Sequence, residues 1–174
     1  MINLLIAVVV VLGALALAYL LSFNRLVAAR QVVADSWATI DTELERRHAL
    51  IPPLVESVRG AAAHERRLLD DLVAKERSAA QAAHTAHARS EPEQQLAAAA
   101  RAVVALRERY PALDTQQNFL TLQHELAMTE DRIGAARRFY NIKVAELNRR
   151  TEAFPSNLVA ARHGFERAAY FDPD

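Results

Sequence analysis

The first 24 residues carry no charged side chain, and Leu4 to Leu21 is aliphatic apart from Gly13 and Tyr19. At ~1.5 Å per residue, about 20 such residues in a helix span the ~30 Å hydrocarbon core of a bilayer. Tyr19 and Phe23 stand near one end of the run, where interfacial aromatic side chains belong. A cleaved signal peptide is the competing reading. Such peptides begin with a basic residue and carry an apolar stretch of roughly 7–15 residues. Here no basic residue precedes the run, the run is longer, and the small pair Ala14 and Ala16 falls in its middle. A retained transmembrane anchor is therefore expected. No Lys or Arg precedes the anchor, whereas Arg25 and Arg30, then Arg46 and Arg47, follow it. The positive-inside rule then places the N-terminus outside and the rest of the chain in the cytoplasm.

The remaining 150 residues suffice for one domain of ordinary size. Lys and Arg number 21 and Asp and Glu 21, so the chain is formally neutral and no nucleic-acid partner is expected. There is no cysteine, which excludes disulfide frameworks, thiolate metal sites and cysteine nucleophiles. The 4 glycines are too few and too scattered for a Gly-rich phosphate loop. Abundant alanine, leucine, arginine and glutamate favour helix over sheet.

Apolar positions recur at three and four residues along most of the chain. The first stripe is Leu26, Ala29, Val33, Trp37, Ile40 and Leu44, continuous with the anchor. Pro52-Pro53 predicts a stop and, because its flanks are apolar, a buried elbow. A second helix is predicted over about 54–88, with Val55, Val58, Leu68, Leu69 and Leu72 inward. Its last part, poor in large apolar residues beyond Ser78, is expected to anchor little. Ser90 and Glu93 have capping-box spacing, which predicts a helix over about 91–110. A fourth, over about 114–153, carries a near-heptad seam from Phe119 through Leu126, Ile133 and Tyr140 to Leu147. Phe154-Pro155 ends it. The expected architecture is all-α: a single N-terminal transmembrane helix (1–24) continuing into an antiparallel up-and-down bundle with coiled-coil-like packing (25–153). A short aromatic tail (154–174) follows.

Several ordered segments carry a resemblance to a known family. They are Phe23-Asn24-Arg25-Leu26-Val27, then Trp37 with Ile40-Asp41, then Arg46-Arg47 leading to Leu50-Ile51-Pro52 and Leu54-Val55-Glu56. Further on come Tyr110-Pro111, Asn118-Phe119-Leu120, Leu122-Gln123, Glu130 with Arg132-Ile133, and Ala135 to Asn141. Phe154 to Leu158, Gly164-Phe165 and Tyr170-Phe171 complete the set. In these the chain resembles the LemA family of bacterial membrane proteins, departing from it at Pro53 and at Arg162-His163. The resemblance implies a helical bundle on one N-terminal anchor. It implies association with membrane organisation or with membrane metalloproteases, and it supplies no catalytic residues.

Motifs that could carry chemistry are weak. Glu45-x-x-His48 has the spacing of a di-iron ligand pair, but no second pair exists, so a solvated helix face is expected there. His64-Glu65-Arg66-Arg67-Leu68 lacks the second histidine of a zinc-protease helix. His84 and His87 form a weak i, i+3 pair on a polar stretch. The arginine pairs, Arg46-Arg47, Arg66-Arg67, Arg137-Arg138 and Arg149-Arg150, have acidic neighbours and are expected to bridge helices. Arg25 and Arg30, nearest the anchor, are expected to meet lipid headgroups.

The expected function is a non-enzymatic, membrane-anchored scaffold without metal or cofactor, at the bacterial cytoplasmic membrane. It would form a homo-oligomer and/or organise other membrane proteins; an accessory subunit of a membrane protease is the alternative. The surfaces expected to matter are Ile51, Pro52 and Leu54, the stretch Arg137, Arg138, Phe139, Tyr140 and Asn141, and Phe154, Phe165, Tyr170 and Phe171.

Overall fold

The computed structural model describes residues 1–171. Among these there is no strand, and five helices account for most of the chain. They are α1 (Ile2–Arg59), α2 (Arg66–Ala80), α3 (Ala86–Val104), α4 (Gln117–Glu152) and α5 (Ser156–His163). Two short 3-10 turns, Ala105–Glu108 and Pro111–Thr115, join α3 to α4. The chain is all-α, and its long apolar N-terminal helix leads into a helical bundle.

The helix α1 does not end at Pro52-Pro53; it continues to Arg59. The predicted elbow is absent. Both prolines face solvent, while Ile51, Leu54, Val55 and Val58 on the opposite side are buried. Proline leaves the carbonyls of His48 and Ala49 without their usual helical donors, a cost of ~3 kcal/mol or more for an interior proline. Each fully buried Leu, Ile or Val contributes ~1.5–3 kcal/mol, so the four together, ~6–12 kcal/mol, offset the ~6 kcal/mol of the two prolines. The chain turns instead at Gly60–Glu65.

The start of α3 also differs from expectation. Thr85 is its N-cap, with extended backbone and a side chain that accepts from the Ala88 N–H. Ser90 lies a turn inside the helix and donates to the Ala86 carbonyl, 2.8 Å away, so the expected capping box does not form. The predicted second helix is thereby divided. Ala79 and Ala86 are both buried, so small side chains in this alanine-rich stretch do reach the core.

Contacts divide the chain into two units. One comprises Met1–Ser36 with Tyr140–Ala169, the other Trp37–Phe139 with the segment from Tyr170 on. The second unit holds the main core. Leu50, Ile51, Leu54 and Val58 of α1 pack with Leu69 and Leu72 of α2, Leu96 and Val103 of α3, and Phe119 and Leu126 of α4. The α4 seam is buried at Phe119, Leu126, Thr129, Ile133, Tyr140, Val144 and Leu147, as its period predicts.

In the first unit, residues 1–21 of α1 are exposed along their whole length. The helix is long and apolar enough to cross a membrane. Beyond Gly164, which takes the left-handed φ of 65° that ends α5, the chain is held against α4. Asn148 donates to the Ala168 carbonyl at 3.0 Å and accepts from the Ala168 N–H at 2.8 Å. The buried Tyr140 hydroxyl donates to the Ala169 carbonyl at 2.8 Å, and burial pushes its pKa up.

Candidate functional site

The chemistry of the second unit is concentrated in one buried ionic network. Four helices contribute to it: Arg47 and His48 from α1, Glu76 from α2, Glu93 from α3 and Glu130 from α4. Glu93 is 1% exposed and Arg47 3%. Such burial is tolerated only where charges pair and their remaining polar atoms are satisfied. Glu93 is shared. Its Oε2 accepts from Arg47 Nη2 at 3.0 Å and its Oε1 faces His48 Nε2 at 2.9 Å. Arg47 Nη1 donates to Glu130 at 2.8 Å, and only its Nε lacks a partner.

His48 has carboxylate oxygens at both ring nitrogens, with Glu76 3.2 Å from Nδ1. A neutral imidazole would turn one lone pair toward a carboxylate; the imidazolium donates at both positions. Burial lowers the pKa of His48, but the hydrogen bonds and charges of Glu93 and Glu76 outweigh it, and the net shift is upward from 6.5. The expectation that Glu45-x-x-His48 lies on a solvated face holds for Glu45 and fails for His48. One residue of offset explains this. His48 is next to the buried Arg47 and shares Glu93 with it, whereas Glu45, about 200° around the helix from Arg47, is exposed.

A second cluster ties the α2–α3 connection to α1. Arg89, 3% exposed, donates to Asp41, and His84 Nδ1 lies 3.1 Å from Arg89 Nη2. Trp37 Nε1 donates to the His84 carbonyl at 3.1 Å, and its ring packs edge-on against Phe171 at 5.3 Å. Trp37 is thus a packing aromatic, as its stripe predicts. Among the described residues no group of three or more His, Asp or Glu is arranged to hold a metal ion.

A cleft of about 260 Å³ opens beside the first network, lined by Arg47, Glu93, Arg101, Glu130 and Arg137. Arg47, Glu93 and Glu130 at this cleft are hydrogen-bonded to one another through the Arg47 guanidinium.

The first unit assembles a different set of groups where the uncharged run ends. Arg150 Nη1 donates to the Arg25 carbonyl at 3.2 Å. Tyr19 hydroxyl hydrogen-bonds to His163 Nε2, and Phe23 lies 4.8 Å from the His163 ring and 6.0 Å from Phe165. The Arg30 guanidinium sits 4.9 Å over the Phe165 ring, a cation–π contact. Sequence reasoning missed this use of His163 because the residue matched no ligand pattern.

The residues expected to form interaction surfaces divide sharply. Ile51, Leu54, Tyr140, Phe165 and Phe171 are buried, and their side chains serve packing rather than an outer face. Arg137 and Asn141 are half-buried. Pro52, Arg138, Phe139, Phe154 and Tyr170 are exposed, with Phe154 at 80% and Phe139 at 52%. Of the arginine pairs, Arg47 does bridge helices. Glu146 pairs with Lys143 and Glu152 with Arg167, not with the arginines beside them in sequence.

No curated protein matches this chain. The LemA family model matches residues 36–174, from the middle of α1 to the end, and the chain belongs to the LemA family.

Proposed function

We propose that this protein is a non-enzymatic, membrane-anchored helical scaffold that self-assembles and/or organises membrane proteins at the bacterial cytoplasmic membrane. The observation that carries this reading is the character of α1. Its first 24 residues are uncharged, the first 21 are exposed, and the helix runs unbroken to Arg59. Water is a poor solvent for such a surface and a bilayer a good one. The family-matched region begins at residue 36, within the same helix.

The positions of basic residues support the cytoplasmic orientation: Arg25 and Arg30 directly follow the uncharged run, where the positive-inside rule counts Lys and Arg. Arg150, remote in sequence, joins Arg25 at the end of that run.

The non-enzymatic reading is supported by the use made of the ionisable core groups. Arg47, His48, Glu76, Glu93 and Glu130 satisfy one another across four helices, which is the behaviour of a structural network. Exposed apolar side chains on α4, Met128 and Phe139, stand eleven residues and three turns apart. They offer an outward stripe for pairing with another helix. Anchoring confines copies to one surface and raises their effective concentration.

Isolation of the full-length protein in gentle detergent tests the reading. A homo-oligomer without a stoichiometric companion supports the scaffold. A constant 1:1 companion with protease activity replaces it with the accessory-subunit alternative.

A further inference from the structure

The first unit carries a feature that the scaffold reading does not use. The short helix α5 meets α1 at both of its ends. At its start, Phe154, Pro155 and Ser156 line a cleft of about 400 Å³ together with Ser22, Arg25, Leu26 and Arg150. At its end, His163 bonds to Tyr19 and stacks near Phe23. Along α1 these two contact points differ by about three residues, or ~5 Å of rise, while α5 itself is ~12 Å long. The short helix therefore crosses α1 steeply. If α1 traverses the bilayer, α5 runs along its surface.

With α1 as the anchor, the sequence also suggests a depth. The uncharged run ends at Asn24, and Tyr19 and Phe23 are the aromatic side chains at that end. The α5 contacts fall at Tyr19 to Leu26, around that end of the run. The outer side of the segment suits the headgroup layer. Phe154 is 80% exposed, Leu158 63%, and Arg162 follows Leu158 by one turn and is exposed. Among the described residues neither Arg25 nor Arg150 forms an ion pair, although they share one cleft in a unit with seven Lys and Arg against four Asp and Glu.

We propose that α5 is an interfacial helix lying in the headgroup layer, and that Arg25 and Arg150 bind the phosphate of an anionic phospholipid in the cleft at its start. The cleft opens at the foot of the apolar run, so its occupant is a membrane lipid and not a soluble anion. Phe154 and Leu158 enter the acyl boundary beside it, as the apolar side of an interfacial helix does. The inference rests on α1 being a retained anchor, and the test separates the two.

The chain has no cysteine, so single cysteines label cleanly. Full-length Val9→Cys and Leu158→Cys proteins carry an environment-sensitive fluorophore in nanodiscs of phosphatidylcholine with phosphatidylglycerol. Lipids with quenchers at defined depths read the position. The expected result is deep quenching at 9 and shallow quenching at 158. Quenching at 9 alone keeps the anchor and overturns the interfacial helix; quenching at neither overturns both. Native mass spectrometry of the unlabelled protein then counts retained phosphatidylglycerol. Arg25→Gln with Arg150→Gln is expected to lower retention by roughly fivefold per arginine, and the two lysine variants to keep most of it. Retention unchanged in the glutamine variant, or displacement by millimolar inorganic phosphate, overturns the lipid site.

Discussion

Replacing Glu93 with alanine removes the carboxylate that Arg47 and His48 share. Arg47 is 3% exposed and would keep only Glu130, itself 31% exposed, as a partner. Removing one member of a buried pair costs ~3–5 kcal/mol, because the remaining charge stays buried and poorly compensated. For a chain of this size each kcal/mol shifts the melting temperature by about 2–4 °C, so Glu93→Ala should lower it by roughly 6–20 °C. Replacing the pair together, Arg47→Met with Glu93→Leu, should recover most of the loss, because no orphaned cation remains. The single tryptophan, Trp37, packed on Phe171 in the same unit, reports the transition by fluorescence. His48 supplies the pH signature. Its folded pKa lies above 6.5, so its contribution is complete below that pH and is lost as pH rises through the folded value. The melting temperature should therefore fall across that window in the wild type, and His48→Gln should flatten the fall. A Glu93→Ala protein melting within about 2 °C of wild type, or an equal pH slope in His48→Gln, would refute the reasoning.

Three further outcomes follow from particular contacts. Asn148→Ala removes two hydrogen bonds that hold the chain at Ala168, and should cost about 1–3 kcal/mol and speed amide hydrogen exchange around residue 168; unchanged exchange there contradicts the docking. Pro53→Ala, on the exposed side of an unbroken α1, should stabilise the protein by up to about 3 kcal/mol in denaturant titration, whereas a true elbow would be destabilised by it. Phe139→Glu places a charge on an exposed position of α4, so it should leave secondary structure by circular dichroism intact while reducing assembly size; an unaltered assembly removes that face from the interface.

The sequence made the long-period features legible. The α4 seam could be read because its buried residues repeat every three, four or seven positions over nearly eight turns, and one-sided burial enforces that repeat. Local stop signals were less faithful. Pro52-Pro53 breaks helices on average, but here both rings face solvent and the core residues beside them hold the backbone helical. Ser90 with Glu93 matched a cap, yet Glu93 was required in the core and Thr85, five residues earlier, capped the helix. The ionic network was the least legible part. His48 finds its partners 28 and 45 residues away, and Arg47 one of its partners 83 residues away, on three other helices. Nothing in the local pattern around Glu45-x-x-His48 distinguishes a charge turned outward from one paired inside. The burial of Ile51 and Leu54 was hidden for a related reason: apolar residues near a suspected break read as available, when they complete a core.

The central claim is that this chain is a membrane-anchored scaffold whose assembly depends on its apolar N-terminal run. The most direct measurement is the mass distribution of the full-length protein in nanodiscs or mild detergent beside a truncated chain beginning at Arg25. The account predicts a discrete assembly of several copies for the full-length protein and its loss or shrinkage in the truncated chain. A full-length protein that stays a monomer, at the same mass per particle as the truncated chain, would contradict it.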